Sequence, residues 1–102
     1  MIENWKDLKA MVEYPKQGII SKELIRSGKM NATLFCMAKG TEMSEHTSTK
    51  EGFVFVLEGD GIFNLEGKDI KMKPDVFIRL EKNARHSLKA IKNTSFILSL
   101  TP

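Results

Sequence analysis

The sequence has one cysteine, one tryptophan, one tyrosine, three prolines and two histidines among 102 residues. A single cysteine excludes an internal disulfide, so the fold does not depend on an oxidising compartment. The longest uninterrupted apolar runs, LFCMA and FVFVL, have five residues each, which excludes a transmembrane helix. The first ten residues, MIENWKDLKA, lack the apolar segment of a signal peptide. These absences predict a cytoplasmic protein with no membrane partner.

Positive charge is concentrated in one part of the chain. Residues 1–67 carry 8 Lys/Arg and 10 Asp/Glu, whereas residues 68–92 carry 8 Lys/Arg and 3 Asp/Glu. A basic segment of this kind either steers anions or forms the solvated face of strands. No aromatic side chain alternates with these lysines to form a base-stacking surface. The pattern therefore predicts that nucleic acid is not a partner.

Short apolar segments separated by turn residues occupy most of the chain. Such segments at nearly even spacing indicate an all-β sandwich or barrel, and a closed barrel protects strand edges most completely. The nine segments are GIISKELI, MNATLFCMA, EMSEHT, GFVFVL, GIFNL, DIKM, VFIRL, HSLKAI and SFILSL. The sequences GDG, residues 59–61, and EGKD, residues 66–69, are typical of hairpin turns.

One short helix is predicted before the strands. Trp5, Leu8 and Val12 recur at spacings of three and four residues, and Asn4 is a candidate N-cap. A chain of this length forms one domain. We therefore expect a single domain over residues 1–102, with a helix or arm at 1–16 and a barrel at 17–100.

The order of glycine, histidine and proline along the strands resembles the two motifs of the cupin superfamily. The first motif is matched by Gly40, His46 and Gly59, and the second by Gly67, Pro74 and His86. The run FVFVLEGDG is similar to the central cupin hairpin. The resemblance covers residues 17–100 and implies a small antiparallel β-barrel of jelly-roll type.

The resemblance also implies a divalent metal, held by two histidines and a glutamate of the first motif and a histidine of the second. Here Ser48 stands at the second histidine position and Gly52 at the glutamate position. Only His46 and His86 remain as candidate ligands for Fe, Mn, Zn or Ni. Metals bound by imidazole and carboxylate ordinarily have at least three protein ligands. We therefore predict no tightly bound metal, and we keep weak metal binding by the two histidines as the alternative.

Strand alternation predicts which side chains face the inside of the barrel. If His46 points inward, its neighbours two residues away do so as well, and Phe53, Phe55 and Leu57 point outward. The resulting candidate ligand pocket is mostly apolar, which is typical of small-molecule sites. Its predicted lining is His46, Ser48, Gly52, Val54, Val56, His86 and Leu88. The alternative is a barrel filled by bulky side chains.

Three functions are compatible with these patterns. The first is a barrel that binds a small organic ligand in its interior. The second is a weak metal-dependent or metal-free enzyme, of the dioxygenase, decarboxylase or isomerase type, that uses His46 and His86, because imidazole transfers protons near neutral pH. The third is an interaction protein with a vestigial pocket. Apolar residues on the outer surface, Ile19, Ile20, Phe53 and Phe55, predict a homodimer.

Overall fold

The computed structural model describes residues 4–102, which form one short helix and nine strands. Helix α1 spans Leu8–Met11. The strands are β1 (Ile19–Arg26), β2 (Asn31–Met37), β3 (Glu42–His46), β4 (Gly52–Glu58), β5 (Gly61–Leu65), β6 (Lys68–Met72), β7 (Phe77–Leu80), β8 (His86–Ala90) and β9 (Thr94–Leu100). Each of the nine strands lies within or overlaps a segment that the sequence predicted.

The strands form two sheets, and all paired strands within each sheet are antiparallel. Sheet A has the order β1-β2-β9-β4-β7, and sheet B has the order β3-β8-β5-β6. The predicted all-β antiparallel barrel, preceded by one short helix, is confirmed. Neighbours in each sheet that are distant in sequence, such as β2 and β9, give the jelly-roll connectivity.

The helix is shorter than predicted and begins at a different residue. Asp7 is the N-cap, and its side chain accepts a hydrogen bond from the Ala10 amide at 3.4 Å. An aspartate at this position satisfies a free amide of the first turn, which explains why it takes the place predicted for Asn4. The predicted arm, residues 1–16, includes residues 1–3, which lie outside the described part of the chain. The division at residue 16 stays a prediction.

Of the two predicted hairpin turns, one is confirmed and one is wrong. Glu66 and Gly67 join β5 to β6 with positive φ angles of 50° and 84°, as a tight two-residue hairpin requires. GDG instead carries the chain from β4 in sheet A to β5 in sheet B. Gly59 is needed there because a Cβ at this residue would lie 2.5 Å from the backbone of Asn93 and Thr94.

The core lies between the inner faces of the two sheets. Its buried side chains belong mainly to strands in the middle of each sheet, namely Met37, Val54, Val56, Phe63, Met72, Ile78, Leu80, Leu88, Ala90 and Phe96. Leu34 and Cys36 alternate with core residues along β2, so they face outward, yet they are fully buried. The chain before β1 lies over them: Lys22 donates to the Met11 carbonyl at 2.8 Å, and Tyr14 donates to Glu58 at 2.7 Å.

Within residues 4–102, no helix is long and apolar enough to cross a membrane.

Candidate ligand-binding site

An irregularity in β3 determines the direction of His46. Met43 pairs with Leu88 and His46 pairs with His86, so three steps along β3 correspond to two steps along β8. The additional residue is a β-bulge, which changes the face on which the following side chains lie. In a regular strand Met43 and His46 would lie on opposite faces. The bulge places both at the interior.

The two imidazoles, which are the only histidines of the sequence, form a contact pair between β3 and β8. Their ring centroids are 4.2 Å apart with an interplanar angle of 63°, which is an edge-to-face arrangement. The His86 ring also stacks on Phe63, with centroids 5.7 Å apart and planes within 5°. His86 is buried, with 8% of its surface exposed, whereas His46 is exposed. The pair therefore extends from the barrel interior to solvent.

Backbone carbonyls fix the tautomer of both rings. The Nδ1 of His46 lies 2.8 Å from the Ser44 carbonyl oxygen, and the Nδ1 of His86 lies 2.9 Å from the Ala84 carbonyl oxygen. A carbonyl oxygen only accepts hydrogen bonds, so each Nδ1 carries the hydrogen and donates. In the neutral ring the Nε2 then holds a free lone pair. The site thus offers one free acceptor nitrogen on each of two rings whose centroids lie 4.2 Å apart.

The space next to the histidines is small. A cavity of about 30 Å³ is enclosed by His46, His86 and apolar side chains of both sheets. This volume suits one or two water molecules and is too small for an organic ligand. The other lining residues are Phe35, Met43, Val54, Phe63, Leu80, Leu88, Phe96 and Leu98.

Comparison with known proteins identifies the family. Residues 33–100 match the family model described as Cupin domain. The chain belongs to the cupin family. No curated protein sequence matches this cupin.

Solved structures share the fold of this cupin at low sequence identity. A conserved protein of unknown function from Streptococcus pyogenes superposes with a TM-score of 0.86 at 22% identity, covering 98% of this chain and 90% of that one. A cupin 2 conserved barrel domain protein from Leptotrichia buccalis gives 0.83 at 26%, covering 92% of this chain and 46% of that one. Salicylate 1,2-dioxygenase from Pseudoaminobacter salicylatoxidans gives 0.76 at 14%, covering 81% and 26%. Cupins of unknown function and enzymes therefore share this fold.

The cupin barrel brings together four of the seven side chains predicted to line a pocket. His46, His86, Val54 and Leu88 surround the small cavity. Val56 is fully buried in the core and does not reach the cavity. Strand alternation did not identify Phe35, Met43 and Phe63. Which side chains of the two sheets meet across the interior depends on how the sheets pack, and the sequence of a single strand does not encode that packing.

Ser48 lies outside the cavity because β3 ends at His46. Past the end of a strand the alternation of faces no longer applies, so the pattern that placed Ser48 on the same face as His46 does not extend to it. Its hydroxyl accepts a hydrogen bond from the Lys50 amide at 3.0 Å, and its carbonyl accepts one from the Asn83 amide at 2.8 Å. Ser48 thus connects the loop after β3 to the loop before β8.

Gly52 also contributes no space to the cavity. An ideal Cβ at this position would lie 1.8 Å from the Ser99 carbonyl oxygen, so the residue packs directly against the β9 backbone. Gly52, which was predicted to line the pocket, therefore does not line this cavity. The same contact shows that no larger side chain fits here without a backbone shift.

The donor set of this cupin does not fit the metal that the family resemblance implied. Within residues 4–102, no group of three or more His, Cys, Asp or Glu side chains is close enough to hold an ion. Glu45, the carboxylate adjacent to His46, is exposed and lies 4.0 Å from Arg85 Nε. The structure brings the two predicted histidine ligands together, and residues 4–102 supply no third ligand beside them.

Arg85 stabilises the turn that leads into His86. Its backbone amide donates to the Glu66 carboxylate at 2.6 Å, and its guanidinium lies 3.5 Å from the same group. The hydrogen bond from this amide, together with the guanidinium charge, lowers the pKa of Glu66 below its ordinary value. This contact holds the chain just before the histidine.

Proposed function

We propose that this cupin binds a small organic molecule at the inner edge of its barrel, through the Nε2 atoms of His46 and His86, and does so without a tightly bound metal. The observation that supports this is the pair of Nδ1 to carbonyl hydrogen bonds, at 2.8 and 2.9 Å. They leave the Nε2 of each ring free to accept, and the two ring centroids are 4.2 Å apart. A ligand that supplies a hydrogen-bond donor complements them.

Burial makes the Nε2 of His86 the more demanding acceptor. Its ring stacks on Phe63 and lies beside Leu88, so little water surrounds it. A hydrogen bond to an atom in such an apolar setting is stronger than one to an exposed atom. A ligand hydroxyl or amine supplies the donor for this nitrogen. His46 is the exposed member of the pair.

The absence of a tight metal is part of the proposal. Two neutral imidazoles provide no negative charge to balance a divalent ion, whether Fe, Mn, Zn or Ni. The nearest carboxylate in sequence, Glu45, pairs with Arg85. Any ion bound by His46 and His86 would therefore complete its coordination with water or with the ligand itself.

A second candidate is an enzyme that uses the same histidines. A neutral imidazole with a free Nε2 is the form that acts as a general base. In this candidate His86 takes a proton from the bound molecule, and His46, in edge contact with it, passes the proton to solvent. The two candidates share the ligand site and differ in whether the bound molecule is altered.

Thermal unfolding with a panel of small hydroxyl and amino compounds tests the proposal. A compound present at ten times its Kd should raise the Tm by about 5–10 °C. The shift should disappear in His46→Ala and His86→Ala and persist in Ser87→Ala, which changes the next residue on the opposite face of β8. Mass spectrometry of the bound compound before and after incubation separates a binding protein from an enzyme.

Metal analysis of the same preparations tests whether the site is free of tightly bound metal. We expect far less than one ion per chain after dialysis against Fe, Mn, Zn and Ni salts followed by buffer. Near-stoichiometric metal that is lost in both histidine variants would contradict the metal-free proposal. A panel in which every shift survives both histidine variants would contradict the assignment of the site itself.

A further inference from the structure

We propose that the apolar body of the ligand lies in a groove on the concave face of sheet A, and that the ligand is an uncharged, largely apolar molecule carrying a hydroxyl group. This inference rests on the proposed function, because the hydroxyl is assigned to the histidine pair. It starts from a mismatch of size. The cavity at the histidines measures about 30 Å³, so most of any organic ligand must lie elsewhere.

A larger space adjoins this cavity. The groove, formed by one face of β1, β2 and β9, has a volume of about 270 Å³, close to the lower limit for small-molecule sites. Its lining residues are Glu23, Ile25, Arg26, Asn31, Thr33, Phe35, Leu98 and Leu100. Phe35 and Leu98 also line the small cavity, so the two spaces share a wall made of these two side chains.

The groove continues the barrel interior along sheet A. Asn31, Thr33 and Phe35 lie on the same face of β2 as the core residue Met37, and their β9 partners are Leu100, Leu98 and Phe96. Along this row burial decreases from Met37, which is fully buried, to Phe35, Thr33 and Asn31, which are partly exposed. The interior face of the sheet thus opens to solvent toward one end.

Movement of Phe35 would join the groove to the histidine cavity. Its ring stacks on Phe96 at a centroid distance of 5.3 Å and is partly exposed on the groove side. Phe35 and Leu98 are the two side chains common to the groove and the cavity. A ligand in the groove therefore reaches the Nε2 atoms once this ring and Leu98 move apart.

The charges at the groove favour a neutral ligand. Glu23 and Arg26 form an ion pair with Nε and Oε2 3.2 Å apart, so the rim carries no net charge. The walls are apolar at Ile25, Phe35 and the two leucines, and Thr33 adds a neutral hydroxyl. At the inner end both free ring nitrogens accept hydrogen bonds. An apolar molecule with one hydroxyl donor matches all three parts, whereas a carboxylate meets no unpaired cation in the groove and, at the inner end, ring nitrogens that accept hydrogen bonds.

Three matched probes test this chemistry by NMR titration of the isotopically labelled protein. The probes are 4-ethylphenol, 4-ethylanisole, in which a methyl group replaces the donor hydrogen, and 4-ethylbenzoate. We expect 4-ethylphenol to saturate shifts of amides in residues 33–35 and 96–98, and the other two to bind at least about tenfold more weakly, the effect of one lost hydrogen bond. Equal binding of the phenol and the anisole would overturn the ligand class, as would failure of all three to bind.

A variant that fills the groove separates this inference from the proposed function. Thr33→Phe places a bulky ring in the groove without touching either histidine, and we expect it to weaken 4-ethylphenol binding at least about tenfold. Lys71→Phe makes the same change on the outer face of sheet B and should leave binding unchanged. Binding that is lost in His86→Ala but unaffected by Thr33→Phe would overturn the groove and leave the proposed function standing. Binding lost in Thr33→Phe but unaffected by both histidine variants would overturn the proposed function, and with it the assigned role of the hydroxyl.

Discussion

Gly52 shows how one residue determines the ligand set of a site. The family resemblance assigns a carboxylate ligand to this position, and the chain has no side chain there. The β9 backbone occupies the corresponding space, since an ideal Cβ would lie 1.8 Å from the Ser99 oxygen. The close pairing of β4 with β9 therefore leaves no space for a carboxylate side chain at residue 52. Restoring this ligand requires more than one substitution, because the β9 backbone must also move.

Substitution of Gly52 tests this close approach. Gly52→Ala should lower the free energy of unfolding by about 2 kcal/mol or more, because β4 and β9 must separate to admit the methyl group. Gly28→Ala is the control, since a Cβ there meets nothing within 4 Å, and its effect should stay within about 0.5 kcal/mol. Urea denaturation measures both. If the two variants are equally stable, β9 is not as close to Gly52 as described.

At the scale of elements, the bulge in β3 explains what the sequence could and could not predict. Apolar segments and turn residues located all nine strands, because burial of one face leaves a period of two in the sequence. The bulge cannot be recognised in the sequence, because Ser44 and Glu45 are polar residues that also occur in regular edge strands. Val54 and Leu88, which lie on regular strands, line the cavity as strand alternation predicts. Ser48, which follows the irregular strand, does not line it.

The segment before β1 acts as a cover for sheet A through Tyr14. Burial, together with the nearby Glu58 carboxylate, raises the pKa of Tyr14 to about 12, against an opposing contribution from Ser95. The folded protein thus keeps the tyrosine proton at a pH where the unfolded chain releases it. The stabilisation from this group is complete below about pH 10 and is lost as the pH rises from about 10 to 12.

Tyr14→Phe tests the attachment of this cover. At pH 8 the variant should be less stable by about 1–2 kcal/mol, because the hydrogen bond to Glu58 is lost. At pH 11 the difference should shrink, since phenylalanine has no proton to lose. Tyr14 is the only tyrosine, so tyrosinate absorbance reports its titration directly. A titration midpoint that is the same in folded and urea-unfolded protein would contradict the buried hydrogen bond.

In the folded molecule, positive and negative charges that are separated along the sequence lie close together. Cations of residues 68–92 pair with carboxylates from residues 1–67: Lys71 with Asp60, Lys89 with Glu42, and Arg85 with Glu45 and Glu66. These exposed pairs add little stability. They do reduce the positive field of the segment. The absence of a nucleic-acid partner stays a prediction.

An aromatic surface on sheet A remains without a cover within the described chain. Phe53 of β4 and Phe77 of the edge strand β7 stack at 5.1 Å, and Phe55 pairs with Phe77 across the strands. Phe77 is 61% exposed. Of the residues predicted for a dimer contact, Ile19 instead packs against the core. Exposed aromatic residues of this kind are typical of protein interfaces, and on an edge strand they suit a twofold contact with a second copy.

We therefore expect the protein to form a homodimer through Phe53, Phe55 and Phe77. Light scattering coupled to gel filtration should give about twice the chain mass of 11.6 kDa for the wild type. Phe77→Glu should shift the equilibrium to monomer, because two carboxylates would face each other across the twofold axis at the centre of an apolar contact. Ile62→Glu, at an exposed apolar residue on sheet B, should leave the dimer intact. A dimer that survives Phe77→Glu, or a wild type that is monomeric at high micromolar concentration, would exclude this surface as the contact between copies.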